Sequence, residues 1–154
     1  MKNLMSFCVL LSCLRGVSQE KLHILVTVDD IVTGSYNLSD SYLVIEKDTI
    51  ALKYEMGRFE ISNMDRLKKR GKQSKICLNF RYYATCPHPR SYNYNITLDS
   101  SLILQEYLLL KVYNFANYPN VFAKNIGYGY EYISPIGSET LPKNKRIKRN
   151  KCID

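Results

Sequence analysis

The residues able to do chemistry are few and fall into four groups. His23 and His88 are the only histidines, and histidine is the side chain whose ordinary pKa suits a general base near neutral pH. Five cysteines stand at Cys8, Cys13, Cys77, Cys86 and Cys152. Two triplets, Asn37-Leu38-Ser39 and Asn95-Ile96-Thr97, have the form of N-glycan acceptors. Basic side chains crowd at Arg66, Lys68, Lys69, Arg70, Lys72 and Lys75, and again from Lys143 to Lys151.

Catalysis is poorly served by this set. His23 lies in an alternating strand pattern, and His88 sits between Pro87 and Pro89 in a loop. There is no Gly-x-Ser-x-Gly, no His-Glu-x-x-His and no phosphate-binding glycine run. Gly127-Tyr128-Gly129 reads as a turn, because no helical pattern follows it. The expectation is a chain that is not an enzyme and carries no cofactor. A cleft holding either histidine beside a carboxylate would revive an enzymatic reading. No Cys-x-x-Cys is present, which speaks against zinc. Calcium needs several oxygens at one place; Asp29 and Asp30 end the first strand and Asp40, Asp48 and Asp99 fall in predicted turns, where Asp is common for backbone reasons. No metal is expected.

The two ends predict where the chain works. Met1-Lys2-Asn3 is a short positive start, Leu4 to Leu14 is an apolar run, and Gly16-Val17-Ser18 supplies small residues before a cut. Residues 1–18 therefore read as a signal peptide, too short to span a bilayer. Its removal takes Cys8 and Cys13 and leaves Cys77, Cys86 and Cys152, an odd number for an oxidising compartment. Cys77 and Cys86 flank one short excursion and are the expected disulfide; Cys152 is then free or joins a second chain in a covalent dimer. Residues 142–154 read as a disordered basic tail, since one isolated Ile147 cannot order six basic residues. Arg146, Lys148 and Arg149 within it read as a dibasic processing site or simply as part of a solvated tail. The product is a secreted, extracellular glycoprotein with sugars at Asn37 or Asn95.

Lysine and arginine total 22 against 14 acids, for a net charge of +8. The cluster from Arg66 to Lys75, with the tail, suits heparan-type glycans or anionic lipid headgroups. Nucleic acid suits the charge equally, but secretion argues against it. The 13 tyrosines exceed what a small core needs, and tyrosine combines rigid apolar area with a polar tip, as interfaces require.

The body between the two ends, residues 19–141, has the length of one domain. Leu22, Ile24, Val26 and Val28 alternate with His23, Leu25 and Thr27, the period of a half-buried strand. Tyr42–Ile45 and Thr49–Met56 predict further strands, the second with Ile50, Leu52, Tyr54 and Met56 on one face. Arg58–Ile61 continues past a bulge or turn at Gly57. Ile76, Leu78, Phe80 and Tyr82 mark the clearest strand, and Tyr92, Tyr94, Ile96 and Leu98 the next. Glu106 to Phe115 is apolar on both faces and predicts a central strand. Tyr128–Ile133 closes the series before Pro135. About seven or eight strands with turn signals between them predict an all-β fold, a single antiparallel β-sandwich.

One stretch resembles a known family. Lys75-Ile76-Cys77-Leu78-Asn79-Phe80-Arg81-Tyr82, with the following Cys86-Pro87 loop, is similar to the strand and cysteine loop in the N-terminal domain of Notch ligands, the Delta, Serrate and nematode group. The strand from Glu106 to Tyr113 and the basic approach to Cys152 stand where that domain has a greasy strand and the cysteine opening its receptor-binding module. The family's Trp-Pro segment has no counterpart, since the chain has no Trp. The resemblance implies a sandwich with lipid or glycan affinity and contact with a cell-surface receptor such as Notch.

Overall fold

The computed structural model describes residues 21–61, 75–85, 88–122 and 127–143. The expected signal peptide, Arg66, Lys68, Lys69, Arg70, Lys72, Cys86, Cys152 and the processing residues Arg146, Lys148 and Arg149 lie outside them.

The described chain is all-β, in two sheets. Eleven strands are present among the described residues: β1 (Leu22–Val28), β2 (Ile31–Val32), β3 (Leu38–Ile45), β4 (Asp48–Ala51), β5 (Tyr54–Glu55), β6 (Arg58–Ile61), β7 (Ile76–Ala84), β8 (Arg90–Leu98), β9 (Tyr107–Asn114), β10 (Tyr128–Ser134) and β11 (Gly137–Glu139). A seven-stranded sheet runs β11-β10-β9-β1-β6-β5, with β2 paired to β1. A four-stranded sheet runs β4-β3-β7-β8. Residues 100–104 form a 3-10 turn that Asp99 caps by accepting the Ser101 N–H at 2.7 Å.

Alternation decides which side chains go inward. Leu22, Ile24, Val26 and Val28 of β1 are buried, as are Ile76, Leu78, Phe80 and Tyr82 of β7 and Tyr94, Ile96 and Leu98 of β8. These residues and Leu108, Leu110 and Val112 of β9 belong to one core cluster drawn from both sheets. Aromatic rings connect the layers. Phe59 of β6 meets Phe80 of β7 at 5.9 Å, Phe80 meets Tyr94 of β8 at 5.2 Å, and Tyr94 meets Tyr128 of β10 at 4.9 Å.

Three expectations are corrected. The pairing is not wholly antiparallel: β1 and β9, the two central strands of the larger sheet, run parallel in register from His23↔Tyr107 to Val28↔Val112. Residues 49–56 are not one strand. β4 belongs to the four-stranded sheet and β5 to the other, so the chain changes sheet at Leu52–Lys53, and Met56 ends in an exposed turn. β10 is not the last strand, because Pro135-Ile136 turns the chain back into β11.

A second apolar cluster lies on the outward side of β9 and β10. Tyr113, Phe115, Val121 and Phe122 are buried together, with Tyr118 and Leu141 against them. Gly129 makes room for it. A Cβ there would stand 2.7 Å from the Phe115 ring and 2.8 Å from Leu141.

Candidate functional site

The densest polar construction is built where β1 turns into β2. Val28 and Ile31 pair across a loop of only two residues, Asp29 and Asp30, with φ of 53° and 65°. Positive φ at both positions is the type I′ form of a two-residue hairpin loop, which matches the strand twist, and Asp tolerates that region better than most residues. The turn brings Asp29 to the end of β9. Its carboxylate accepts the Asn114 backbone N–H at 2.8 Å, the Asn114 side-chain amide at 2.9 Å and the Asn117 amide at 2.6 Å. The Tyr118 hydroxyl donates to the Asp29 carbonyl at 2.9 Å, and the Tyr113 hydroxyl to Asp30 at 2.9 Å. Asn114 is shared, since its Oδ1 accepts the Tyr94 hydroxyl of the opposite sheet at 2.9 Å.

Burial holds the Asp29 carboxyl above the usual carboxylate range, against the opposing pull of its bonds from Asn114 and Asn117. Burial also pushes the Tyr94, Tyr113 and Tyr118 phenols upward. The carboxylate has three donors, so its chemistry is that of a brace joining β1, β9 and the turn after β9. Among the described residues, no group of three His, Cys, Asp or Glu is placed to hold a metal ion.

The predicted site residues fall elsewhere. His23 stands on the outward face of the larger sheet, its ring stacked on Tyr107 at 5.4 Å. It does have a carboxylate beside it: Glu60 of β6 is its cross-strand partner, but Glu60 pairs with Lys21 at 2.7 Å on an exposed surface rather than in a cleft. His88 is exposed. Lys75 is exposed immediately before β7.

Cys77 is a free thiol on the outward face of the smaller sheet, beside Thr97. Cys77 stands near the start of β7, which runs unbroken from Ile76 to Ala84, and its expected disulfide partner Cys86 lies outside the described residues.

The two sequon asparagines differ. Asn37 uses every polar group it has. Its N–H donates to the Gly34 carbonyl at 3.0 Å, its carbonyl accepts from Tyr83 N at 2.8 Å, its Oδ1 accepts from Gly34 N at 3.0 Å, and its Nδ2 donates to the Tyr83 carbonyl at 3.0 Å. Asn95 is exposed on β8, and its backbone N–H and carbonyl both bond to the Tyr128 hydroxyl, at 2.8 and 2.7 Å. The Tyr130 hydroxyl donates to the Thr97 carbonyl at 2.7 Å. Two tyrosines of β10 thus seal part of the outer edge of β8.

Lys143, counted by sequence with the solvated tail, is anchored. It pairs with buried Glu131 at 2.5 Å and lies 5.1 Å from the centre of the Tyr113 ring. Glu131 also accepts the Leu141 N–H at 3.0 Å.

The outward face of the seven-stranded sheet carries an apolar row. Ile133 of β10, Leu109 of β9 and Leu25 of β1 are consecutive cross-strand partners. Ile133 is 48% exposed, Leu25 40% and Tyr107, beside His23 in the next row, 48%. No protein-family model, curated protein or solved structure matches this chain. The site's geometry therefore carries the functional argument. No helix among the described residues is long and apolar enough to cross a membrane.

Proposed function

We propose that the chain is a secreted, non-enzymatic binding module, a single β-sandwich that docks a cell-surface protein through the outward face of its seven-stranded sheet. The observation that carries this reading is the in-register row Ile133–Leu109–Leu25 with Tyr107 and His23 beside it. Contiguous exposed apolar and aromatic groups rimmed by charges, here Arg58, Glu60 and Lys111, are what protein interfaces present. The resemblance of Lys75–Tyr82 to the Notch-ligand N-terminal domain makes a Notch-type receptor the first partner to try.

The test is binding of the secreted chain to intact cells. Leu25→Arg with Ile133→Arg should weaken cell binding at least tenfold while lowering the unfolding temperature only modestly, because both side chains are already partly exposed. Unchanged cell binding by that double variant refutes the proposed face. The basic cluster from Arg66 to Lys75 supports a second reading, anionic glycans or lipid headgroups. Charge reversal at Lys68, Lys69 and Arg70 should then abolish heparin retention at moderate salt; full retention removes that reading.

A further inference from the structure

The geometry points to Asn95 as the sole glycan-bearing asparagine of the folded molecule, its N-linked sugar lying over the outward face of the four-stranded sheet. This rests on the secreted reading above, since only a chain in the secretory pathway meets the transferase. Two sequons compete, and the fold treats them oppositely.

At Asn37, Nδ2 is the atom a sugar would occupy, and it holds the loop from Gly34 to the end of β7 through the Tyr83 carbonyl. Asn37 Oδ1, from the same amide, accepts the Gly34 N–H in the same clamp. The Ser39 hydroxyl that completes this sequon is buried. A sugar at Asn37 would crowd the Tyr83 carbonyl 3.0 Å from Nδ2, and the single hydrogen left on that nitrogen would have to serve this carbonyl for the clamp to close.

At Asn95 nothing has to move. Tyr94, Ile96 and Leu98 point inward, and the alternation of β8 sends Asn95 and Thr97 outward together, both exposed. The strand's backbone at these two residues is already fixed by three hydrogen bonds with the hydroxyls of Tyr128 and Tyr130, and an outward sugar disturbs none of them. Register places Asn95 beside Asn79 and Thr97 beside Cys77. A glycan there shields that side of the molecule and leaves the opposite sheet, with Leu25, Tyr107 and Ile133, free to meet a protein.

The full chain should be expressed in cultured eukaryotic cells twice, once with its own N-terminus and once with residues 1–18 replaced by an established secretion leader. Secreted protein is then compared before and after peptide-N-glycosidase treatment, and the modified asparagine is located by mass spectrometry. One glycan is expected. It should persist in Asn37→Gln and Ser39→Ala and vanish in Asn95→Gln and Thr97→Ala. Ser39→Ala removes the first sequon with the Asn37 clamp intact, which covers misfolding of Asn37→Gln. A glycan that vanishes with Ser39→Ala, two glycans on the secreted protein, or none with the established leader would each overturn the assignment. Glycosylation with the established leader but not with the native N-terminus upholds Asn95 and refutes secretion by this chain.

Discussion

The Asp29 carboxylate accepts both the backbone N–H and the side-chain amide of Asn114, 85 positions later in the chain. One short turn after β1 is thereby tied to the end of its parallel neighbour β9. Asp29→Ala would leave three donors of Asn114 and Asn117 without their acceptor, at a cost of about 2–4 kcal/mol. Tyr94→Phe, which strips only the donor to Asn114 Oδ1, should cost less, about 1–2 kcal/mol. Urea unfolding of the two variants measures both; an Asp29→Ala protein as stable as the parent would show that the brace is dispensable.

The same carboxyl sets a pH dependence of known sign. Its folded pKa is raised above the ordinary 3.8, chiefly by burial, so the folded chain holds the proton more tightly than the unfolded chain does. The contribution of Asp29 to stability is therefore complete below 3.8 and is lost as pH rises through the raised folded value. Glu60, bonded to Lys21, and Asp99, bonded to Ser101, have lowered values and act in the opposite sense. The informative quantity is parent minus Asp29→Asn. That difference should move in favour of the parent as pH falls from neutral to below 3.8. A constant difference, or movement the other way, contradicts the raised value.

Met56 and Gly57 form the two-residue loop between β5 and β6, with φ of 50° and 81°. Met56 is 89% exposed, so its side chain contributes little packing. Met56→Asn creates Asn-Gly, the pair best suited to two positive φ values, and should raise stability by about 1 kcal/mol. A lowered unfolding midpoint would mean that this turn is not limiting.

Gly129→Ala should act in the reverse direction. The new methyl would press on Phe115 and Leu141, and overpacking of this kind costs about 1–3 kcal/mol. Because Leu141 leads to Lys143, the variant should also show faster amide exchange at Leu141, read by hydrogen exchange. Unchanged exchange there would disconnect Gly129 from the anchoring of that segment.

Tyr128→Phe removes one hydroxyl and with it both bonds to the Asn95 backbone. The exposed N–H and carbonyl of an edge strand are a template for pairing with another chain. The variant should self-associate at concentrations where the parent does not, visible in light scattering. Equal scattering would show that Tyr130 alone protects the edge.

Much of the strand content was legible because burial leaves a period of two. Ile76, Leu78, Phe80 and Tyr82 gave β7, and Leu22 to Val28 gave β1. The same period hides a change of sheet. Ile50, Leu52 and Tyr54 keep one parity while the chain passes from one sheet to the other, so residues 49–56 read as continuous. Parallel pairing of β1 with β9 leaves no local mark at all, since a strand's pattern names its buried face and not its neighbour. The Asp29 brace had a faint signal: two aspartates between two β-rich runs are a hairpin loop as well as a calcium motif. Its partners Asn114 and Asn117 lie far along the chain, and only the fold brings them together.

The parallel pair has a consequence during synthesis. β1 leaves the ribosome early and can pair with β6 soon after, yet its other flank stays bare until β9 has been made. With about 80 residues between them and translation at roughly 5–20 residues per second, that wait is on the order of 4–16 s. Throughout it the strand Leu22–Val28 keeps at least one edge without its native partner, a flank open to pairing with another chain until β9 arrives.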